Sequence, residues 1–478
     1  MFKRMIAVMM ILAAVLCLGV KADAADTRHT KDDTWLVYWY LCGADLESNS
    51  HSATLQIAEM QQVKLPPNIK FLICAGGTTQ WYHPTLSEGG DGVYLYSGNR
   101  LEKQADWNEE AGKTNMGDPE TLKGFLEYGE ENFTADHKII IFSDHGGLNG
   151  ICYDENFEGD GYFPNDGLTY DELKSTLIDV YGDSPEDKPL ELVVFDACIT
   201  GSYELANTVS DFSHYMLGSE PSVWGWPFKV WIAALARDPS MNGGQIGELI
   251  CNSAIKNYTS DMRLTHTFSV IDLTKMPELR EAYEKYFDEA LNRSNEEEGF
   301  SGAFARAAEA RTADKYSNYY TDLGLLAKNT KSIMPDTSKK LLKAIDKAVV
   351  YKKSGAYLKS KGISTYYPYI STENTPREAV NSAKEGFEIE VFNHDSNYKA
   401  QKEFYQKLFD LKDLPESEDL QLEENSTGHF VATLTPEQLK NISVARCVLV
   451  PVKIYETSDY DLDLGGAVLY SADDLKID

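Results

Sequence analysis

The sequence predicts an α/β fold: a doubly wound, mainly parallel sheet flanked by helices, followed by an additional helical segment and a C-terminal β-rich unit. Three observations carry this. Short apolar runs recur at Trp35–Cys42, Phe71–Ala75, Ile139–Phe142, Leu192–Phe195, Tyr215–Leu217 and Phe268–Ile271. They are continuous rather than alternating, as strands covered on both faces must be. Helical periodicity fills the gaps, and strand and helix in turn build a parallel sheet.

The elements follow in order. Residues 1–24 begin with Lys3 and Arg4, continue through an apolar run and end in Ala22-Asp23-Ala24, which is the pattern of a signal peptide. A secreted protein is therefore expected, and no later stretch is long and apolar enough for a membrane span. Residues 25–33 form a polar segment. Residues 34–384 hold the sheet domain and its helical extension. Helices are predicted at Pro119–Phe133 behind the cap Asp118, at Thr169–Val180, Gly201–Val209 and Ile246–Tyr258, and at the amphipathic stretch Met276–Asn292. A strand is expected at Ile363–Tyr369. Residues 385–478 read as the β-rich unit, with strands at Glu388–Phe392, His429–Leu434, Arg446–Tyr455 and Ala467–Ser471.

With 45 Lys and Arg against 75 Asp and Glu, the net charge is −30. Such a chain repels phosphate backbones, which argues against nucleic acid as a partner. The cysteines are widely and irregularly spaced, with no C-x-x-C pair. That suits neither a dense disulfide scaffold nor a zinc site and leaves a reactive single thiol open beside the bland role of buried small hydrophobe. There is no phosphate loop, no G-x-S-x-G elbow and no H-E-x-x-H helix, so no nucleotide or redox cofactor is implied. The acidic stretches Asp154–Asp166 and Asp459–Asp463 could bind calcium or be solvated loops, and neither has EF-hand spacing.

Two strand ends carry chemistry. Ile139-Ile140-Ile141-Phe142 runs into Ser143-Asp144-His145-Gly146-Gly147, and Leu192-Val193-Val194-Phe195 runs into Asp196-Ala197-Cys198. Side chains at the carboxyl ends of parallel strands emerge on the ligand-binding rim. A thiolate at Cys198 is a nucleophile, and an imidazole at His145 can take the thiol proton and return it to a leaving amine. Gly146 lets a backbone amide approach a developing oxyanion, with the Cys198 amide as the second donor.

In these blocks the sequence resembles the clostripain family of caspase-fold cysteine peptidases. Further matching stretches are Tyr40-Leu41-Cys42-Gly43-Ala44-Asp45-Leu46-Glu47, Asp154-Glu155, Ser219-Glu220 and Gly225-Trp226-Pro227, over roughly residues 34–275. The resemblance implies a caspase-like sheet and an endopeptidase acting on protein or peptide substrates, with His145 as general base and Cys198 as nucleophile. It also implies cleavage after Arg or Lys, with pocket residues at Asp196 and Glu220. By their own chemistry, Asp196 could equally cap the following helix and Glu220 could be a solvated turn residue. Trp226, in the group Trp224, Trp226, Phe228 and Trp231, is either core or a wall of the substrate cleft. Calcium dependence is not general in the family, and a monomer is expected. The block after Gly43 departs from the usual Asp-Asn. Members of the family often cut themselves at a basic residue between the histidine and cysteine blocks. Here no Lys or Arg lies between His145 and Leu173, Lys174 falls within a predicted helix and Lys188 precedes Pro189, which hinders cleavage, so an enzyme active as a single chain is expected. A secreted binding protein that keeps the scaffold is the alternative from a different class.

Overall fold

The computed structural model describes residues 29–106, 114–147, 150–159, 164–183, 185–223, 225–257, 265–308, 315–316, 320–355, 359–367 and 398–408, with 423–424, 430–431 and 435. The signal segment and three of the strands expected beyond residue 385 (Glu388–Phe392, Arg446–Tyr455, Ala467–Ser471) lie outside these residues.

The strands of the large sheet are β1 (Trp35–Cys42), β2 (Ile69–Gly76), β3 (Gly92–Ser97), β4 (Arg100–Asp106) and β5 (His137–Ser143). After the hairpin β6 (Gly150–Glu158) and β7 (Asn165–Thr169), β8 (Leu190–Asp196), β9 (Ser213–Gly218), β10 (Thr267–Asp272) and the edge strand Val349–Ser354 complete it. Its order from that edge is Val349–Ser354, β10, β9, β8, β5, β1, β2, β3, β4. The five central strands, β9 to β2, are parallel. β3, β4, β10 and the edge strand are antiparallel, so the predicted parallel sheet is mixed at both margins. The chain winds from β1 outward to β4 on one side and from β5 outward to β10 on the other. The switch point, where a crevice opens at the carboxyl ends of the strands, therefore lies between β1 and β5.

β1 shows why the run is apolar throughout. Leu36, Tyr38, Tyr40 and Cys42 enter the core on one face, while Trp35, Val37, Trp39 and Leu41 enter the core on the other. Each large side chain so removed from water contributes on the order of 1.5–3 kcal/mol. Leu122, Phe125 and Leu126 of the helix Pro119–Asn132 and Leu173 and Leu177 of the helix Tyr170–Tyr181 cover the first face. Ile57 of the helix Ser52–Met60, Trp231 of the helix Phe228–Arg237 and Ile246 of the helix Gly243–Asn257 cover the second. Asp118 caps Pro119–Asn132 by accepting from the Glu120 amide, and Thr169 with Glu172 closes a capping box on Tyr170–Tyr181.

The helical extension is present. Met276–Glu296 packs against Pro335–Ala348 and against Lys399–Leu408, so a helix occupies part of the region read as β-rich. Ser364–Tyr366 forms a short strand within the stretch expected to be one, and Phe430–Val431, inside His429–Leu434, pairs with Glu423–Glu424.

Candidate active site

Register brings the two chemistry-bearing strand ends together. β5 and β8 pair in parallel with Ser143 opposite Asp196, and the Asp144 amide donates to the Asp196 carbonyl at 3.2 Å. His145 and Cys198 each lie two residues beyond this last pair. Past it the chains touch: a Cβ built on Gly146 would stand 2.1 Å from the Cys198 carbonyl oxygen and 3.2 Å from the Ala197 Cβ. Only glycine permits that approach.

His145 is fixed from the other neighbouring strand. The helix Ala44–Ser50, which follows β1, carries Asp45 in its first turn, and the Asp45 Oδ1 lies 2.6 Å from His145 Nε2. Three adjacent strands, β1, β5 and β8, thus deliver a carboxylate, an imidazole and a thiol to one rim. Behind the imidazole, the His145 carbonyl accepts from the Cys152 amide at 3.3 Å, and Gly146 bridges to Ile151.

The Cys198 sulfur is half-buried beneath the loop after β9. The Val223 amide donates to Sγ at 3.2 Å, and Ile199 N–H donates to the Pro221 carbonyl at 3.1 Å, which pins this loop to the thiol turn. Burial pushes the thiol up from its ordinary value, and the Val223 amide and Ser222 hydroxyl oppose that shift by favouring the thiolate. Among the described residues, no hydrogen bond is formed by the amides of Gly146 or Cys198.

Backbone strain collects here. Among the described residues, the non-glycine residues with positive φ are Ala44 (43°), His51 (57°), Cys152 (59°) and Ile199 (60°). Three of them adjoin or bond the site: Ala44 precedes Asp45, Cys152 holds the His145 carbonyl, and Ile199 follows Cys198. Such conformations cost on the order of 1–3 kcal/mol each and persist where the surroundings over-determine them.

The remaining residues expected at the site separate into two places. Asp196 is at the rim: its Oδ2 accepts from Gln56 Nε2 at 2.5 Å and from Ser143 Oγ at 3.5 Å, and Ser143 Oγ accepts from Trp39 Nε1 at 2.9 Å. Burial pushes its carboxyl up to about 7, against the opposing effect of the Gln56 and Ser143 hydrogen bonds. It caps no helix; Ser202 caps the following one, Tyr203–Val209. Glu220 points elsewhere. It is wholly buried, shares a hydrogen bond with Asp322, and is held well above the usual carboxylate range by desolvation and that acidic neighbour. It is not a solvated turn residue. Asp322 in turn caps the helix Leu323–Asn329 by accepting from the Leu325 amide. Trp226 is 4% exposed, edge-on to Phe268 at 5.9 Å, within the core that also holds Phe228 and Trp231. Trp224 lies outside the described residues.

Two residues were not anticipated from sequence. The signal for Asp45 was a carboxylate three residues past the strand beside the histidine strand. Gln56, on the helix Ser52–Met60, had none, because its contact with Asp196 spans 140 positions of the chain.

Comparison with known proteins gives a consistent result. The model of the clostripain family matches residues 40–423. Clostripain of Hathewaya histolytica is 30% identical over 219 residues, an alignment that spans 40% of this chain and 40% of that protein. Among solved structures, an inactive zymogen C11 protease from Parabacteroides distasonis aligns with a TM-score of 0.53 at 16% identity, over 76% of this chain and 98% of that one. A secreted C11 cysteine protease from Bacteroides thetaiotaomicron, in complex with an irreversible peptide inhibitor, aligns with a TM-score of 0.51 at 18% identity, over 76% and 98% respectively. At these identities the structures speak for the fold, which is the caspase-like one.

Proposed function

Since this chain belongs to the clostripain family, we propose that it is a secreted cysteine endopeptidase that cleaves protein or peptide substrates after Arg or Lys through a His145–Cys198 dyad. The observation that carries the reading is the contact of the two strand ends at Gly146, with a carboxylate, an imidazole and a thiol on three neighbouring strands. A secreted protease among the structural relatives supports the compartment.

The mechanism follows from the residues. Asp45 on Nε2 fixes the ring plane of His145 and leaves Nδ1 as the nitrogen that takes the Cys198 proton. The thiolate attacks the scissile carbonyl, and its oxygen takes negative charge against the amides of Gly146 and Cys198, an arrangement typically worth about 3–4 kcal/mol of barrier per donor. The imidazolium returns its proton to the leaving amine. Water, activated by the same imidazole, then releases the acyl group from sulfur. No step calls for a metal or redox group, and chelator titration tests this by leaving the rate unchanged.

Asp196, two residues before the nucleophile and supplied, among the described residues, only with neutral donors, is the anion that a P1 cation would meet. Glu220, engaged with Asp322, takes no part in the pocket, and Trp226 supports it from the core. The enzyme acts as a single-chain monomer in this reading: Lys174 sits within a helix, and Lys188 donates to the Ser210 carbonyl ahead of Pro189.

The test is labelling by a peptidyl-Arg electrophile beside matched Lys, Asp and Leu reporters, in wild type and Cys198→Ala. Cys198-dependent labelling with fastest turnover after Arg or Lys is expected. Faster cleavage after Asp or Leu would remove the basic pocket. No labelling of Cys198 would leave a binding protein on the same scaffold.

A further inference from the structure

The hydrogen bond between Gln56 and Asp196 has a geometry that bears on which basic residue is preferred, and the inference drawn from it rests on the basic-pocket reading above. Gln56 Nε2 donates to Asp196 Oδ2, so the acceptor Oε1 belongs to the same amide that is bonded to the carboxylate. Ser143 also binds Oδ2. Among the described residues no donor reaches Asp196 Oδ1 or Gln56 Oε1, and Asp196 forms no ion pair. The turn at Gly225, whose φ is +73°, comes close to the same amide: a Cβ built on it would lie 3.7 Å from Gln56 Nε2. This turn follows Val223, the residue that bonds the Cys198 sulfur. Gln56 is therefore held between the floor carboxylate and the loop over the nucleophile.

We propose that Gln56 is a specificity-determining residue that makes the P1 pocket prefer Arg to Lys, its Oε1 and Asp196 Oδ1 together forming the two-acceptor edge that a guanidinium fork spans. The difference between the two cations lies in shape. A guanidinium carries its donors in a rigid plane and can meet two acceptors at once, whereas an ammonium is a compact point charge that gains little from a second acceptor of fixed direction. Gln56 has a second effect: its Nε2 donation stabilises the ionised carboxylate, so removing it pushes the carboxyl up further.

The experiment measures kcat/KM for peptide reporters that differ only in P1 Arg or Lys, across pH 5.5–9, on wild type, Gln56→Ala and Gln56→Met. Loss of one charge-assisted hydrogen bond made to Arg should lower the Arg-to-Lys ratio about tenfold in both variants. The pH at which cleavage after Arg sets in should move upward. Methionine keeps the volume without the amide, so it carries the comparison if the alanine variant melts below the assay temperature. A ratio restored by methionine would show that Gln56 only fills space. A ratio within twofold of wild type in Gln56→Ala, with no movement of the pH profile, overturns the assignment while leaving the basic pocket intact. Wild-type enzyme that cleaves after neither Arg nor Lys removes the pocket and this inference together.

Discussion

Replacing Gly146 by alanine tests the contact on which the site depends. The added Cβ would lie 2.1 Å from the Cys198 carbonyl oxygen, with the Thr200 Cγ2 at 3.1 Å and the Ala197 Cβ at 3.2 Å. Ordinary contact begins near 3.4 Å, so the two strand ends must separate by roughly 1 Å, and the opposing atom is backbone that no rotamer change can move aside. A displacement of that size between reacting groups costs on the order of 10²-fold in rate. The overpacking itself costs about 1–3 kcal/mol of stability. The assay compares inactivation by a peptidyl-Arg electrophile with alkylation by iodoacetamide, which needs only the thiol and no oxyanion site, alongside thermal melting. The expected outcome is a folded protein with a lowered melting temperature, iodoacetamide reactivity retained, and peptidyl inactivation slowed about a hundredfold. Peptidyl inactivation within threefold of wild type would refute the reasoning, because the Gly146 amide would then have no part in the site.

Asp45→Asn should lower kcat/KM only two- to fivefold, and Asp45→Ala somewhat more. The ion pair with His145 is about half exposed on the carboxylate side and so is worth at most about 1 kcal/mol, and asparagine can still accept from Nε2–H. A loss above a hundredfold for asparagine would mean that Asp45 does more than orient the ring. Asp196→Asn should abolish the preference for basic P1 residues and raise the melting temperature more at pH 8 than at pH 5. The folded carboxyl, raised to about 7, holds its proton more tightly than the unfolded chain does, so wild type loses stability as pH climbs from about 4 to about 7, a loss the amide does not share. A melting difference that does not vary with pH would sink that account. Alkylation of Cys198 in the resting enzyme should keep accelerating above pH 8, since burial raises its thiol. A plateau below pH 7 would instead reveal a preformed thiolate.

Much of the fold was legible because its cause is local. A strand buried on two faces carries a continuous apolar run, so β1, β2, β5, β8, β9 and β10 announce themselves. Asp118 and Thr169 likewise mark their helix starts, because a cap satisfies amides within three residues. The hairpins β3–β4 and β6–β7 did not show. Arg100–Asp106 alternates exposed positions with one buried and two half-buried ones among mostly charged residues, and β6 is broken by two register shifts. The helix Lys399–Leu408 was hidden within a segment read as β-rich, because its placement comes from packing on Met276–Glu296.

For the proposed site, the sequence by itself marked the candidate groups and their strand ends: His145 before a glycine, Cys198 two residues after a carboxylate. Tertiary structure alone decided who stands beside them. Asp45 reaches His145 because β1 neighbours β5 at the switch point, and Gln56 reaches Asp196 across 140 positions. Glu220, next to a serine that matched the same family pattern, turns into the protein toward Asp322. The physical reason is one of range. Backbone propensity and burial act within a few residues and leave a periodic trace in sequence, whereas a hydrogen bond between side chains depends on strand order and on which face each helix presents.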